Sequence, residues 1–245
     1  MFKNKKILIV GASSDFSKNL NKILYEEKAT IGLHYNKNNQ SISPFYESDK
    51  IKKIQKNLNS IDACYSLIDE FVKWAGGIDI LVQLSGDLSR PIHWENIIEK
   101  DWEHDLSINL TTPFFLVQRA VKYMKSSGGK ILLTSTASAS YGGGTTSLAY
   151  GIAKGGVECI IKRIAKDCAK YNIIINGIAP GFILTKFHTE RKKLTKKQIK
   201  ERIKLIPLKR SGTIEEITET ILFLISEKSS YITGEIITIN GGDRL

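Results

Sequence analysis

The chain has 245 residues, of which 42% are hydrophobic and 25% charged, a composition typical of an ordinary globular protein. Three cysteines at unrelated spacings, Cys64, Cys159 and Cys168, favour a reducing compartment over a disulfide framework, and none belongs to a metal-ligand pattern. The net charge of +11 favours attraction of anions, but no helix-turn-helix, zinc or aromatic RNA-binding motif accompanies it, so we do not expect nucleic acid as a partner.

The N terminus places lysines before an apolar stretch, an arrangement that superficially resembles a signal peptide. The apolar part is only Ile7–Val10, and no cleavage pattern follows it. No run of about 18 apolar residues occurs, so we expect no membrane span. The expected location is the cytoplasm.

Strand and helix patterns alternate along the whole chain. The short run Ile7–Val10 is apolar throughout, as in a parallel strand buried on both faces. The predicted strands are Ile7–Val10, Thr30–Tyr35, Lys53–Leu58, Ile78–Leu84, Lys130–Thr134, Asn172–Ile178 and Glu235–Ile239. The predicted helices are Phe16–Glu27, Ile61–Trp74, Trp102–Met124, Leu148–Lys170 and Ile214–Ser226. The alternation predicts a single α/β domain over 1–245, a Rossmann-type doubly wound parallel sheet flanked by helices on both faces, with ligand sites at the carboxyl ends of its strands.

The turn after the first predicted strand has the position of a dinucleotide-binding turn. Gly11 would let the backbone approach a pyrophosphate, and the following helix N terminus would supply free N–H groups. Asp15 and Ser17 stand where such a turn has its other two glycines. Because aspartate is a good N-cap, we interpret Asp15 as capping the helix.

The end of the second predicted strand bears on the choice of cofactor. An acidic residue there would accept the ribose hydroxyls of NAD. None is present, whereas Asn36 and Lys37 supply a donor and a positive charge. This favours NADP(H) over NAD(H); the alternative is a lysine in an exposed turn.

Tyr150 and Lys154 are four residues apart in a helical pattern, so they share a face. An ammonium beside a phenol favours the phenolate, so we expect Lys154 to lower the pKa of Tyr150. The spacing alone is weak evidence for a catalytic pair, because Tyr46 and Lys50 have the same spacing. The segments that surround Tyr150 and Lys154 are the stronger evidence.

Seven ordered segments make the chain resemble the short-chain dehydrogenase/reductase family, and the branch that includes bacterial 3-oxoacyl-carrier-protein reductases in particular. They are VGASSDFS (10–17), DILVQLSG (79–86), INLTTPFF (108–115), ILLTSTAS (131–138), YGIAK (150–154), NGIAPGFILT (176–185) and YITGEIITINGG (231–242). The resemblance covers essentially the whole chain.

The resemblance implies catalytic roles. Tyr150 would give a proton to a carbonyl oxygen, or accept it in the reverse oxidation, and Lys154 would lower its pKa and hold the nicotinamide ribose. Asn109 would bind a water of a proton relay, the alternative being a bond to neighbouring backbone. Thr136 aligns with the serine that polarises the substrate, and Ser138 is the competing candidate.

The resemblance also implies cofactor contacts, and it implies no metal. The expected cofactor residues are Gly11, Ser14, Phe16, Asn36, Lys37, Asn57, Leu58, Gly86, Tyr150, Lys154, Pro180, Gly181, Ile183 and Thr185. Asn57 stands where the family usually has aspartate, and Gln83 and Leu84 stand where it has asparagines, which weakens the expected hydrogen bonds there.

The segment 184–210 would be the substrate lid. It is rich in cations: Lys186, Arg191, Lys192, Lys193, Lys196, Lys197, Lys200, Arg202 and Lys204. A basic lid would attract an anionic or carrier-bound substrate, although a solvated surface in a lysine-rich protein explains the charges as well. The family also implies a homotetramer or homodimer, to which the apolar face of Ile160, Ile161, Ile164 and Ala165 would contribute; the alternative is that this face packs against the chain's own sheet.

Three functions remain open from the sequence. The first is an NADP(H)-dependent oxidoreductase that interconverts a carbonyl and a secondary alcohol, with 3-oxoacyl thioesters as a candidate substrate. The second is a sugar, polyol or polycyclic alcohol dehydrogenase on the same scaffold. The third is a catalytically silent dinucleotide-binding protein, which Asp15, Ser17 and the missing asparagines make plausible.

Overall fold

In the computed structural model, which describes residues 1–191 and 193–243, seven parallel strands form one sheet in the order β3-β2-β1-β4-β5-β6-β7. The strands are β1 (Lys6–Val10), β2 (Thr30–Tyr35), β3 (Ile51–Gln55), β4 (Ile80–Gln83), β5 (Gly129–Thr134), β6 (Ile173–Pro180) and β7 (Ile236–Ile239). The strand order reverses direction next to β1, which is the crevice where doubly wound sheets bind ligands. The predicted fold class is confirmed.

Seven α-helices accompany the sheet in the described part of the chain. They are α1 (Ser17–Glu26), α2 (Ile61–Ala75), α3 (Glu99–Leu106), α4 (Thr112–Met124), α5 (Leu148–Cys168), α6 (Lys196–Lys204) and α7 (Ile214–Ile225). In the described residues, no helix combines the length and the apolar character that crossing a membrane requires.

The core lies in two layers, one on each face of the sheet. Within β1, Leu8 and Val10 pack with α2, α4 and α5, whereas Ile7 and Ile9 pack with α1 and α7. Successive side chains of a strand point to opposite faces, so a strand between two helix layers must be apolar at every position. This explains why the buried strands show continuous apolar runs.

The long helical pattern before β5 is one helix with an irregular turn in its middle. Helix α3 leads into a π-helical turn, Ser107–Thr111, which continues directly into α4. The extra residue in a π turn changes the direction of its side chains, and such turns are frequent at functional sites. Asn109 lies in this turn and is fully buried.

Two predicted elements need correction. The strand predicted over Lys53–Leu58 is β3, at Ile51–Gln55. Ile51 and Ile54 are the buried residues of this strand. Leu58 is also buried but lies beyond the strand's end, and for this reason the apolar pattern predicted too late an end. No helix or strand is predicted for the segment 184–210, but the structure contains α6 there. This helix begins with a capping box between Thr195 and Gln198.

Gly32 in β2 tests how tightly the two layers are packed. A Cβ at this position would lie 2.5 Å from Phe71 Cδ2 and 3.0 Å from Leu8 Cδ1. We expect Gly32→Ala to lower the free energy of unfolding by about 1–3 kcal/mol through overpacking. Chemical denaturation measures the change. The matched control is Gly155→Ala in α5, where a Cβ meets nothing within 4 Å and a gain of about 0.5–1 kcal/mol is expected. Equal stability changes in the two variants would contradict the packing argument.

Candidate active site

A cleft of about 830 Å³ lies at the carboxyl ends of the strands, between the turns after β1, β2, β4 and β5 and the segment after β6. Most of the residues that the sequence analysis selected line this cleft. They are Gly11, Ser14, Phe16, Asn36, Lys37, Leu58, Gly86, Thr136, Ser138, Tyr150, Lys154, Pro180, Gly181, Ile183 and Thr185. Two selected residues do not line it: Asn57 is exposed beside it, and Asn109 is buried behind it.

The turn after β1 is shaped for a group that needs close backbone approach. Gly11 has a φ of +84°, and a Cβ there would lie 2.7 Å from the backbone nitrogen of Ser85. Only glycine suits both conditions. The hydroxyl of Ser14 is buried and lacks a hydrogen-bond partner within the described residues. This orphaned hydroxyl, next to an open backbone turn, fits the oxygens of a pyrophosphate.

The interpretation of Asp15 as a helix cap is wrong. Helix α1 begins at Ser17, and Phe16 stands at its N-cap position without a side-chain cap. The Asp15 carboxylate instead accepts a hydrogen bond of 2.8 Å from the backbone N–H of Lys186, at the start of the segment after β6. Ser17 donates its hydroxyl to the carbonyl of Ser14 at 2.8 Å. Both residues that replace glycine therefore use their side chains in hydrogen bonds to the backbone.

His34, at the end of β2, was not selected from the sequence. Its Nδ1 accepts the Gly11 N–H at 3.2 Å, and its Nε2 lies 2.9 Å from the carbonyl oxygen of Lys56, to which it donates. Burial lowers the pKa of His34 to about 4, so the ring is neutral and can both accept and donate. One side chain thus ties the ends of three strands together. In the sequence, this role is indicated only by the presence of a polar residue inside the apolar run of β2.

The far end of the cleft, beside the ends of β2 and β3, is basic. Asn36 and Lys37 line it as expected, and Lys56 joins them. The Lys56 ammonium donates to the hydroxyl of Ser66 at 2.7 Å and to the carboxylate of Glu70 at 3.2 Å. Sequence reasoning missed Lys56 because its neighbour Asn57 matched the family position.

The turn after β4 keeps its hydrogen bonds without the expected asparagines. The buried Gln83 donates its amide to the carbonyl oxygen of Ser85 at 2.7 Å and to the Ser85 hydroxyl at 2.9 Å. Thr134 donates its hydroxyl to the Gln83 carbonyl at 2.8 Å, which ties β5 to the same turn. A different side chain therefore performs the stabilising role that the missing asparagines put in doubt.

Tyr150 and Lys154 meet at the other end of the cleft, on one face of α5. The Lys154 ammonium lies 5.7 Å from the centroid of the Tyr150 ring and donates to the carbonyl oxygen of Thr134 at 2.8 Å. Lys154 is only 1% exposed. The start of α5 is held close to the preceding loop because Gly151 leaves room for the backbone of Gly143.

The electrostatics of this pair differ from expectation. Burial lowers the pKa of Lys154 to about 7, so this amine is only partly charged near neutral pH. The pKa of Tyr150 is raised, first by burial and then by the carboxylate of Asp105. The prediction that Lys154 lowers the pKa of Tyr150 is therefore wrong for this structure. Tyr150 is a protonated phenol across the neutral range.

Three hydroxyls follow β5, and the structure gives them different surroundings. Thr136 Oγ1 and Ser138 Oγ lie 3.2 Å apart, and both residues line the cleft. Ser135 donates its hydroxyl to Glu158 at 2.7 Å and to the carbonyl of Lys154 at 3.2 Å, so it braces α5. Thr136 and Ser138 therefore both remain candidates for the group that polarises a substrate.

Asn109 connects the π-helical turn to the loop after β4. Its amide donates to the backbone carbonyls of Asp87 at 2.7 Å and Asp105 at 2.9 Å, and its oxygen accepts the Asp87 N–H at 3.2 Å. A Cβ on Gly86 would lie 2.9 Å from this oxygen and 3.5 Å from the Lys154 nitrogen. The side chain bonds backbone, as in the alternative role, but it does so beside the amine of Lys154.

The segment after β6 contributes to the lining of the cleft. Thr185, Lys186, His188, Glu190 and Arg202 of this segment line it. Arg202 pairs with the buried Asp243 and lies 5.6 Å from the centroid of the Phe182 ring, so α6 is anchored to the chain's last described residues. Lys192 and the side chain of Arg191 lie outside the part of the chain that the structure describes.

The comparisons with known proteins identify the family of this chain. Residues 11–243 match a family model described as "Enoyl-(Acyl carrier protein) reductase". A 3-oxoacyl-[acyl-carrier-protein] reductase from Thermotoga maritima is 35% identical over 244 residues, which is 97% of each chain. One from Staphylococcus epidermidis is 32% identical over 250 residues, 98% of each chain. A structure described as a short-chain alcohol dehydrogenase from Sinorhizobium meliloti 1021 has a TM-score of 0.87 and 26% identity, covering 98% of this chain and 96% of that one. The descriptions name an enoyl reductase, 3-oxoacyl reductases and an alcohol dehydrogenase, so they agree on the family rather than on one substrate.

The burial of Lys154 predicts a pH-dependent stability. Its pKa is about 7 in the folded state against an ordinary 10.5, so between these values the unfolded chain binds more protons and the free energy of unfolding rises with pH. Denaturant titrations between about pH 7 and 9 should show wild type gaining about 1 kcal/mol per pH unit relative to Lys154→Met. The control Lys166→Met, at an exposed position of α5, should show a constant offset. A constant offset for Lys154→Met as well would refute the shift.

Proposed function

This chain belongs to the short-chain dehydrogenase/reductase family, and we propose that it is an NADP(H)-dependent enzyme that interconverts a carbonyl and a secondary alcohol by hydride transfer. Family membership makes it an NAD(P)-dependent oxidoreductase acting on CH–OH or C=O groups; the cofactor preference and the residue roles are our proposal. One observation carries it: a single cleft joins the Gly11 turn to the Tyr150–Lys154 pair.

The described residues fit a pyridine dinucleotide along this cleft. The Gly11 turn and the orphaned Ser14 hydroxyl suit its pyrophosphate. Asn36 and Lys37, with no acidic residue beside them at the end of β2, favour a 2′-phosphate and hence NADP(H). Phe16, Asn57, Leu58, Gly86, Pro180, Gly181, Ile183 and Thr185 are the further proposed contacts. When bound, this cofactor supplies or accepts the hydride; the protein orients it.

In the proposed reaction Tyr150 is the proton donor and acceptor. The phenol is protonated at neutral pH, so it holds the proton that a carbonyl oxygen receives in the reducing direction. Thr136 donates a hydrogen bond to the same oxygen, with Ser138 as the alternative. Lys154 exchanges protons with Tyr150, and its pKa of about 7 suits an amine that both gives and takes them.

Asn109 has a supporting role in this proposal. Its three bonds to the backbones of Asp87 and Asp105 fix the loop after β4, which forms part of the cleft wall. This position also places it beside the amine, which supports participation in a proton relay.

For the substrate, a 3-oxoacyl thioester is supported by the names of the curated relatives. The basic segment 184–210 suits an anionic or carrier-bound form of it. A sugar or polyol is the second candidate, because the cleft wall near Tyr150 is rich in hydroxyls, with Ser138, Tyr141, Thr145 and Ser147. The silent alternative loses support, since Asp15 and Ser17 each make a hydrogen bond to the backbone of the protein, Asp15 to Lys186 and Ser17 to Ser14.

We further propose a cytoplasmic homotetramer or homodimer of single-domain subunits. Ile161 and Ala165 are buried in the chain's own core, so they offer no interface. Ile160 and Ile164 are only partly buried on α5 and leave apolar surface for a second copy. We expect neither nucleic acid nor a membrane as a partner.

Tyr150→Phe removes the proposed proton donor while keeping the ring. We expect the rate of NADPH oxidation with a carbonyl panel that includes acetoacetyl-coenzyme A to fall by about 10² or more, because general acid catalysis contributes about 10²–10⁴. The control is Tyr46→Phe at the exposed tyrosine that has the same spacing to a lysine, Lys50, and it should keep wild-type rates. Full turnover by Tyr150→Phe would reject the assignment.

Lys37→Ala tests the cofactor preference. Loss of a charge-assisted contact to the 2′-phosphate should raise the Kd of NADPH by about tenfold or more and leave that of NADH nearly unchanged. Fluorescence titration of the reduced nucleotides measures both constants. Lys22→Ala, at a solvent-exposed position of α1, is the matched control. An equal loss of affinity for the two nucleotides would count against the phosphate contact.

A further inference from the structure

We propose that the contact between Gly143 and Gly151 positions the active site, because it sets the separation between the hydroxyl that polarises the substrate and the phenol of Tyr150. This inference rests on the proposed function. It adds two positioning residues to which neither the sequence analysis nor the comparisons give a role. Gly143 lies in the β5–α5 loop, residues 135–147, and Gly151 lies in the first turn of α5.

The two glycines touch backbone to backbone. A Cβ on Gly151 would lie 2.6 Å from the Cα of Gly143 and 2.9 Å from its nitrogen. A Cβ on Gly143 would lie 2.9 Å from the carbonyl oxygen of Ser147 and 3.2 Å from the Cα of Gly151. Carbon atoms that are not bonded prefer a separation of about 3.5–4.0 Å. A side chain at either glycine therefore requires the loop to move away from α5 by about 1 Å.

This contact connects the two groups that the proposed reaction uses. On the loop side, the Gly143 N–H donates to the Ser138 carbonyl at 2.8 Å, and the Ser138 hydroxyl lies 3.2 Å from that of Thr136. On the helix side, Gly151 directly follows Tyr150 within α5. A displacement of the loop from the helix therefore moves the candidate polarising hydroxyls relative to the phenol.

Ser147 holds the loop in place around this contact. Its carbonyl accepts the Gly151 N–H at 3.0 Å, and its own N–H donates to the Gly144 carbonyl at 2.9 Å. Its hydroxyl accepts the Gly144 N–H at 3.3 Å, and the residue is buried. Gly143, Gly144 and Ser147 all line the cleft. The contact therefore belongs to the wall of the cleft and is fixed by hydrogen bonds on both sides.

The separation matters because two donors must reach one oxygen atom. In the proposed reaction Tyr150 gives its proton to the carbonyl oxygen, while Thr136 or Ser138 donates a hydrogen bond to the same atom. Hydrogen bonds between oxygens require distances of about 2.5–3.0 Å. A misplacement of about 1 Å can lower a rate by about 10². The turn at Gly11 lies in a different part of the cleft, so we expect the affinity for NADPH to change little.

The experiment compares Gly151→Ala and Gly143→Ala with wild type, using NADPH and the carbonyl of the panel that wild type reduces fastest. We expect kcat of each variant to fall by about 10-fold to 10²-fold, because the added Cβ separates the loop from the helix. The Kd of NADPH, measured by fluorescence titration, should stay close to that of wild type. Chemical denaturation establishes that each variant is folded under the assay conditions.

Each variant has a matched control on the same element. Gly155→Ala adds the same side chain one turn further along α5, where a Cβ meets nothing within 4 Å. Gly142→Ala controls for backbone strain, because φ is +83° at Gly142 and +91° at Gly143, but a Cβ on Gly142 meets nothing within 4 Å. Both controls should keep the kcat of wild type. Gly151 lies in a helix without positive φ, so Gly151→Ala keeps the test decisive even if Gly143→Ala does not fold.

A double-mutant cycle distinguishes positioning from general damage. The polarising hydroxyl is the one whose removal, in Thr136→Val or Ser138→Ala, lowers the kcat of wild type more. That removal should lower kcat by about tenfold in wild type but by about threefold or less in Gly151→Ala, where the hydroxyl is already misplaced.

Two results would overturn the inference: an unchanged kcat in Gly151→Ala, or losses of kcat in the cycle that simply multiply. Absence of NADPH-linked turnover in wild type would instead overturn the proposed function, so the two failures are distinguishable.

Discussion

Lys154 brings an ionisable amine to a position that is 1% exposed, and the neighbouring elements are arranged around it. Its protonated form needs partners, because burying an unpaired charge is strongly unfavourable. The carbonyl of Thr134 at the end of β5 supplies one at 2.8 Å. The amine is therefore held against the sheet, four residues along the helix from the phenol.

The same physical rule governs the rest of the cleft. The carboxyl ends of parallel strands leave backbone groups unpaired, and buried polar side chains bind them. His34 joins the ends of β1 and β3 to β2, Gln83 closes the turn after β4, and Asn109 holds the loop beyond it. Each side chain is buried and bonds backbone: those of His34 and Asn109 reach other segments, and that of Gln83 closes its own turn. The cleft keeps its shape because these cross-links fix turns that no regular element supports.

Sequence patterns sufficed for the fold and for most of the cleft. Parallel strands buried on both faces must be continuously apolar, so β1 and β2 could be predicted almost to the residue. The residues around Gly11 and Tyr150 could be selected for a different reason: they belong to contiguous motifs that resemble those of the family. What escaped prediction depends on contacts between distant segments. Asp15 bonds a backbone group 171 positions away, His34 bonds two other strand ends, and the pKa of Tyr150 depends on burial and on Asp105 from another helix.

The turn after β1 shows how a nucleotide-binding turn can lack two of its three usual glycines and still keep its backbone geometry. Two features exclude any other residue at position 11. The φ of Gly11 is positive, and a Cβ there would lie 2.7 Å from the backbone nitrogen of Ser85. Neither Asp15 nor Ser17 is among the residues with positive φ, and both side chains have found hydrogen-bond partners. Substitution at those two sites is therefore sterically permitted. A pattern search that demands all three glycines would discard this chain, whereas one that weights only the conformationally obligatory glycine would retain it.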